Sequence, residues 1–186
     1  MVQTASNMLS LGTTAPNFYL YDTVSSSWIE LNKLNIEQGL VIMFICNHCP
    51  YVIHLNEKIV EIANSYQAKG IKFIAISSND VKKYPQDGPE LMQKHAQQLQ
   101  YCFPYLYDKS QDVAKSYQAA CTPDFYLFDE KLSLQYRGQF DNSRPSNKID
   151  VTGQDLCTAM DSLLAGETIE QLQKPSLGCN IKWIEG

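Results

Sequence analysis

The sequence contains only two arginines, Arg137 and Arg144, and no long block of basic residues. Its formal net charge is −5, so it lacks the positive surface that binding to nucleic acid or to an anionic membrane requires. No apolar run approaches the roughly 20 residues of a transmembrane helix. These absences predict a protein with neither a nucleic-acid partner nor a membrane partner.

The first residues also lack the features of a secretory signal. The segment MVQTASNMLSLGTTAPNF has no charged start and no long apolar stretch, so we expect a cytoplasmic protein. Six cysteines in 186 residues are too few for a disulfide scaffold. In a reducing compartment, a Cys-x-x-Cys pair is more often catalytic or metal-binding than structural.

The hydrophobic pattern predicts one α/β domain. The apolar runs at residues 39–45 and 71–77 are typical of buried parallel strands, and the segment from Pro50 to about residue 70 has helical periodicity. Further elements are expected as a hairpin at 18–31, helices near 90–99, 110–118 and 153–166, a short strand at 105–108, and two strands between 124 and 140. We expect a single domain over residues 1–186, with an N-terminal extension at 1–10 and a C-terminal tail at 174–186.

Two thiols stand where a predicted strand gives way to a predicted helix. Cys46 and Cys49 lie in the segment CNHCP, with His48 between them and Pro50 opening the helix. Residues three apart on a helix lie roughly 5–6 Å apart at their Cβ atoms, which permits a disulfide. A helix N-terminus favours a thiolate, and a protonated His48 would favour it further. We therefore assign catalytic roles to Cys46, Cys49 and His48.

A zinc site and a pair of inert core thiols are the two alternative interpretations. A structural zinc ion commonly takes four ligands, whereas Cys46, Cys49 and His54 offer three at loose spacing. We therefore expect no metal and no cofactor.

The second marker is CTPDF, residues 121–125, just before a predicted strand. Because only X-Pro bonds adopt the cis form at modest cost, Thr122–Pro123 is a candidate cis peptide. Such a loop facing the thiols would offer a backbone edge to an extended substrate, so Thr122 and Pro123 are candidate substrate-binding residues. An ordinary trans proline at the start of a strand is the alternative.

These motifs together resemble the thioredoxin-like superfamily. FICNHCPYV is followed by CTPDFYLFD, and LGTTAPNFYLYD near the start is similar to the opening of the peroxiredoxin (AhpC/TSA) and TlpA-like branches. GCNIKW near the end resembles a peroxiredoxin-like subgroup with a Cys-Asn-His-Cys-Pro motif. The resemblance implies a thioredoxin-like fold, with a central mixed sheet flanked by helices, an N-terminal β-hairpin and an inserted helix. It also implies a cis-Pro at Pro123 and redox chemistry at Cys46 and Cys49.

The two branches imply different first nucleophiles. In the thioredoxin pattern, Cys46 attacks and Cys49 resolves. In the peroxiredoxin pattern, the peroxidatic cysteine aligns with Cys49, and Cys46 replaces a threonine whose hydroxyl is then missing. The arginine that holds a peroxidatic thiolate has two candidate counterparts, Arg137 and Arg144, and Arg137 is assigned an accessory role. The departure at Cys46 lowers the expectation of efficient peroxidase activity.

The remaining candidates are weaker. Cys121 could be an accessory third thiol or simply a small buried residue. Cys179 could pair with another cysteine or resolve a sulfenic acid, but we expect a structural role. His54 is expected to lie at the surface or to pack on its helix, and Cys102 and Cys157 are expected in the core.

The expected function is that of a thiol–disulfide oxidoreductase that cycles Cys46 and Cys49 to exchange disulfides or reduce peroxides, an antioxidant role. Its partners would be a protein or small-molecule disulfide, or a hydroperoxide, and a cellular thiol reductant. It would act as a monomer or homodimer. The alternative is a non-catalytic binding or adaptor module on a thioredoxin fold, with its cysteines reduced, poorly reactive or metal-bound.

Overall fold

The computed structural model describes residues 3–185, in which the backbone forms ten strands and four α-helices. The strands are β1 (Gln3–Ala5), β2 (Tyr19–Asp22), β3 (Ser27–Glu30), β4 (Gly39–Phe44), β5 (Ile71–Ser77), β6 (Tyr105–Tyr107), β7 (Cys121–Thr122), β8 (Asp124–Asp129), β9 (Leu134–Gly138) and β10 (Leu177–Asn180). The helices are α1 (Pro50–Gln67), α2 (Pro89–Gln98), α3 (Asp112–Ser116) and α4 (Gln154–Ala165). Seven strands form a mixed sheet in the order β3-β2-β6-β5-β4-β8-β9, and β1, β10 and β7 form a second sheet.

Strand β4 lies at the centre of the larger sheet. It pairs in parallel with β5 and antiparallel with β8. Because side chains alternate along a strand, Val41 and Met43 enter one hydrophobic core while Leu40 and Ile42 enter the core on the opposite face. The prediction of a strand buried on both faces is confirmed, and so is the predicted mixed sheet with flanking helices.

Helix α1 follows β4 and covers one face of the sheet. Its apolar residues Val52, Leu55 and Ile59 recur at three- and four-residue steps and are buried against that face. Pro50 occupies the first turn, where a missing backbone N–H breaks no helical hydrogen bond. The helix ends shortly before Gly70, whose φ of +90° favours glycine. None of the helices in residues 3–185 has the length and apolar character needed to cross a membrane.

Most predicted elements lie within a few residues of their observed bounds. The hairpin β2–β3 and the strand pair β8–β9 are antiparallel, as expected. Helix α3 is shorter than predicted, because Gln111 has a left-handed backbone (φ +66°) and the helix begins only at Asp112. The hydroxyl of Ser110 nevertheless accepts the backbone N–H of Asp112.

The expectation of a C-terminal tail needs correction at residues 177–180. These residues form β10, which lies between β1 and β7 and pairs antiparallel with both. The predicted N-terminal extension likewise contributes β1. Residues 1, 2 and 186 of these two segments lie outside the described part of the chain. The second sheet brings the C-terminal strand against the CTPDF segment.

Candidate thiol active site

The strand-to-helix junction positions both cysteines of the CNHCP motif. Cys46 follows β4, and Cys49 is the N-cap of α1, where its carbonyl oxygen accepts the backbone N–H groups of Val52 and Ile53. The side chains are almost sealed from solvent, with Cys46 2% and Cys49 0% exposed. The junction thus holds two adjacent thiols in the core at a helix N-terminus.

Thr122 lies against both sulfurs. Its hydroxyl oxygen is 3.5 Å from Cys46 Sγ, and its carbonyl oxygen is 3.1 Å from Cys49 Sγ, from which it accepts a hydrogen bond only while Cys49 is protonated. The Thr122–Pro123 peptide bond is cis, which confirms that expectation. The structure therefore brings together Cys46, Cys49, Thr122 and Pro123, four of the residues singled out from the sequence.

The two thiols are electrostatically unequal. The pKa of Cys49 is lowered to about 5, chiefly by a hydrogen bond from the Cys46 thiol. Burial opposes this change, while the Cys179 thiol and the backbone N–H of Val52 contribute to it. The pKa of Cys46 is raised by its hydrogen bond to Cys49, by burial and by the negative charge of Asp87. The lowered pKa of Cys49 and the raised pKa of Cys46 favour the negative charge of the pair on Cys49, and Cys46 stands at the position where the peroxiredoxin pattern has a threonine.

His48 is held by residues of the loop that follows β5. Its Nδ1 donates to Asp87 Oδ2 over 2.6 Å, and its ring stacks on Tyr84 with centroids 5.3 Å apart. Cys46 Sγ lies 3.9 Å from the same Nδ1. His48 Nδ1 faces both Asp87 and Cys46, and its proton is directed to the Asp87 carboxylate. Asp87 therefore orients the His48 ring, and that proton is not directed to Cys46.

Asp87 anchors the whole loop and was not predicted from the sequence. Its side chain is fully buried and accepts the side-chain N–H of Asn79 at 2.8 Å and the backbone N–H of Asn47 at 2.9 Å. The sequence showed only a polar segment punctuated by proline and glycine. No spacing rule connects that segment to the thiols, because the contact depends on the path of the loop over the end of the sheet.

Cys179 reaches the site from the C-terminal strand. It is the cross-strand partner of Thr122, it is 3% exposed, and its thiol hydrogen-bonds to Cys49. Burial, followed by the hydrogen bond and charge of Cys49, raises the pKa of Cys179 to about 12. Cys121 lies close by, with its thiol 3.6 Å from the Pro123 carbonyl oxygen, and burial raises its pKa strongly. The sequence did not predict the strand that brings Cys179 beside Thr122.

Strand β10 also changes the expectation for Thr122 and Pro123. The backbone edge at Thr122, predicted to be open to an extended substrate, already pairs with β10. A Cβ atom on Gly178 would lie 2.0 Å from the Thr122 carbonyl oxygen, so only glycine permits this close approach. The chain's own strand occupies the place where a peptide substrate was expected.

The structure does not bring Arg137 to the thiols. The Arg137 side chain donates to the Leu9 carbonyl oxygen and to Gln173 Oε1, and no contact among residues 3–185 joins it to either cysteine of the motif. Arg144 instead lines a narrow surface cleft beside Pro123. His54 lines the same cleft, and its buried Nε2 has no hydrogen-bond partner among the described residues.

Three side chains of the site form a potential metal-ligand group. One donor atom each from Cys46, His48 and Asp87 lies within 4.8 Å of the others. These are not the three ligands considered from the sequence, since His48 and Asp87 stand in place of Cys49 and His54. A metal ion would have to displace the His48–Asp87 hydrogen bond, because both ligand atoms already share one proton.

Comparisons with known proteins agree with this architecture. An uncharacterized conserved protein from Geobacillus kaustophilus is 50% identical, with a TM-score of 0.98 over 100% of this chain and 98% of that one. The hypothetical protein SMc02350 from Sinorhizobium meliloti 1021 is 43% identical, with a TM-score of 0.95 over 98% of this chain and 100% of that one.

A more distant structure shares the fold alone. Peroxidoxin BcpB from Mycobacterium tuberculosis is 16% identical, with a TM-score of 0.63 over 84% of this chain and 97% of that one. No curated protein matches the chain. The AhpC/TSA family matches residues 11–137, which include the CNHCP and CTPDF segments. The chain therefore belongs to the AhpC/TSA family and has a thioredoxin-like fold.

Proposed function

We propose that the protein is a thiol-dependent oxidoreductase that cycles Cys46 and Cys49 between a dithiol and a disulfide. The observation that carries the proposal is the placement of two buried thiols at the N-terminus of α1, where both sulfurs lie against Thr122 and the pKa of Cys49 is lowered. With a pKa of about 5, Cys49 is roughly 99% ionised at pH 7, and the thiolate is the form that attacks an oxidant.

The proposed cycle begins at Cys49. Its thiolate attacks the outer oxygen of a hydroperoxide, the O–O bond breaks, and Cys49 becomes a sulfenic acid while the alcohol leaves with a proton from the medium. The Cys46 thiol then attacks the Cys49 sulfur, water leaves, and the disulfide closes. An external dithiol reductant reopens it by two exchange steps, in which the reductant is oxidised to its disulfide. This assignment follows the peroxiredoxin pattern for the first nucleophile.

The environment of the sulfurs favours a small oxidant. Cys46 and Cys49 are almost completely buried, and β10 already pairs with the Thr122 edge that an extended peptide would use. A hydroperoxide needs no such edge. We therefore propose hydroperoxides as the first class of oxidant, with low-molecular-weight disulfides next and protein disulfides last.

The test compares oxidants on one protein sample. Wild type would be given hydrogen peroxide, cumene hydroperoxide, oxidised glutathione or insulin, with dithiothreitol as reductant, and substrate loss would be followed against a protein-free blank. We expect peroxide loss that is abolished in Cys49→Ser. In Cys46→Ser we expect a first oxidation of Cys49 but slower turnover, because the resolving thiol of the CNHCP motif is missing.

Cys157→Ser is the matched control, since Cys157 lies half-buried on α4 and outside the CNHCP motif. It should retain wild-type turnover. If wild type consumed none of the oxidants, or if Cys49→Ser remained fully active, the proposed function would be refuted. Faster turnover of insulin than of hydroperoxide would overturn the proposed order of substrates.

A second candidate function rests on the Cys46, His48 and Asp87 group. Three donors of mixed type within 4.8 Å could hold a zinc ion in a binding or adaptor module. Elemental analysis of protein purified without chelator distinguishes the two functions. About one zinc per chain, lost in Asp87→Ala and accompanied by unreactive thiols, would favour the module. Metal-free protein with reactive thiols would favour the enzyme.

A further inference from the structure

We propose that Cys179 is a third redox cysteine, which takes over the disulfide from the Cys46–Cys49 pair to form a Cys49–Cys179 disulfide. This inference rests on the proposed function and extends it to the C-terminal strand. It assigns Cys179 a redox role in place of the structural role expected from the sequence.

The first support is the position of β10. This strand pairs with the residue preceding the cis proline, and the Cα atoms of Cys179 and Thr122 are direct cross-strand partners. Gly178 makes the approach possible, because a Cβ atom there would overlap the Thr122 carbonyl group. The strand therefore sits where an extended disulfide substrate was predicted to pair, and the cysteine it carries faces the thiols as a substrate cysteine would.

The second support is the contact network of Cys49. The thiols of Cys46 and Cys179 both lower the pKa of Cys49, whose sulfur lies 3.1 Å from the carbonyl oxygen of Thr122, the cross-strand partner of Cys179. Helix α1 packs directly on β10, and all three cysteines are at most 3% exposed. Cys49 is therefore the shared neighbour of two thiols, each of which is a candidate partner for a disulfide with it.

The transfer is a thiol–disulfide exchange with no net oxidation. The Cys179 sulfur attacks Cys49 Sγ of the Cys46–Cys49 disulfide, the Cys49–Cys179 bond forms, and the Cys46–Cys49 bond breaks. The proton leaving Cys179 is balanced by the proton that Cys46 takes up. Two electrons have moved from Cys179 to Cys46, and no further oxidant or reductant is required.

Oxidation of Cys49 itself prepares Cys179 to react. In the reduced protein, the charge on Cys49 and the hydrogen bond to it help keep Cys179 protonated. Formation of the Cys46–Cys49 disulfide removes that charge, whereas the charge of Lys182, which favours the Cys179 thiolate, remains. The Cys179 thiol therefore becomes easier to ionise only after the first disulfide has formed.

Disulfide mapping over time tests the relay. Reduced wild type would be treated with one equivalent of hydrogen peroxide, quenched with acid at successive times, alkylated, digested and analysed by mass spectrometry. A parallel series would be equilibrated in glutathione buffers of increasing potential. We expect Cys46–Cys49 to form first and Cys49–Cys179 to grow at its expense, with Cys46 becoming available to alkylation again.

Variants separate the relay from the underlying redox function. Cys179→Ser should stop at the Cys46–Cys49 disulfide, Cys46→Ser should form Cys49–Cys179 directly, and Cys157→Ser should match wild type. A wild type that forms Cys46–Cys49 but no Cys49–Cys179 at any time or potential would overturn the relay and leave the proposed function intact. A wild type that forms neither disulfide would refute the proposed function as well.

Discussion

Removing the hydrogen-bond donor at Cys46 should raise the pKa of Cys49. The Cys46 thiol is the largest single cause of the lowered Cys49 pKa of about 5. A hydrogen bond to a charged group is worth about 1.5–3 kcal/mol, which corresponds to about one to two pH units. Cys46→Ala removes the donor without leaving a buried polar group, so the pKa of Cys49 should rise to about 6–7.

Cys46→Ser is the matched control for this change. Its hydroxyl is a donor at the same position, as the threonine of the peroxiredoxin pattern would be. We therefore expect the pKa of Cys49 in Cys46→Ser to stay within about half a unit of the wild-type value, because the donor is retained. Each pKa would be measured from the ultraviolet absorbance of the thiolate against pH, with the matching Cys49→Ser double variant as the blank.

The reaction rate with hydrogen peroxide provides an independent readout. If Cys49 is the nucleophile, the pH at which its oxidation rate reaches half-maximum should move with the measured pKa. An unchanged Cys49 pKa in Cys46→Ala, or an equal rise in Cys46→Ala and Cys46→Ser, would refute the assignment of Cys46 as the donor. A pKa near that of a free thiol in wild type would refute the assignment of the charge to Cys49.

Three further predictions concern the supports of the site. Asp87→Asn should lower the free energy of unfolding by about 1.5–3 kcal/mol in urea titrations. The single amide oxygen of asparagine cannot accept all the hydrogen bonds that the Asp87 carboxylate accepts, including the one from His48. An unchanged free energy of unfolding would contradict this role of Asp87. Burial raises the pKa of Asp124 to about 7, whereas the pKa of an aspartate in the unfolded chain is about 3.9. The free energy of unfolding should therefore fall by about 4 kcal/mol as the pH rises from 4 to 8. The difference in the free energy of unfolding between wild type and Asp124→Asn, measured against pH, isolates this effect. If the two curves ran parallel from pH 4 to 8, Asp124 would not be the cause of the pH dependence. Gly178→Ala should destabilise the protein by about 1–3 kcal/mol and slow formation of the Cys49–Cys179 disulfide, because the new Cβ atom pushes β10 away from Thr122. If the variant kept the stability and the disulfide rate of the wild type, β10 would be free to shift.

The part of the fold that depends on local pattern was predictable from the sequence. The run at 39–45 is too apolar and β-branched to be anything but a strand covered on both faces, and the periodicity after Pro50 defines α1 to within a few residues. The same two elements place Cys46 and Cys49, so the centre of the candidate site followed from the pattern. The cis bond before Pro123 was expected from the resemblance, since its sequence context also permits a trans bond.

What escaped prediction depends on contacts distant in sequence. Asp87 lies in a short 3-10 turn within a polar loop, and only the path of that loop shows that its carboxylate holds His48. Segment 177–180 is too short and too polar to indicate a strand, and its pairing partners lie at the opposite end of the chain and beside the cis proline. Arg137 was a candidate because the peroxiredoxin pattern implies an arginine that holds the thiolate, yet its position on β9 directs its side chain to Leu9 and Gln173.

The proposed cycle requires a buried thiolate on Cys49 that is both reactive and protected, and the arrangement of the sulfurs accounts for both properties. A single isolated thiolate in the core would be driven to take up a proton, because burial disfavours its charge. Here two neighbouring thiols, Cys46 and Cys179, donate to Cys49 and stabilise the charge without adding a cation. The same donors are the groups that can capture the oxidised sulfur as a disulfide before a second oxidant molecule arrives. The same contacts therefore stabilise the charge on Cys49 and hold the thiols that form the disulfide. A substitution that raises the pKa of Cys49 by weakening these contacts should also slow formation of the disulfide.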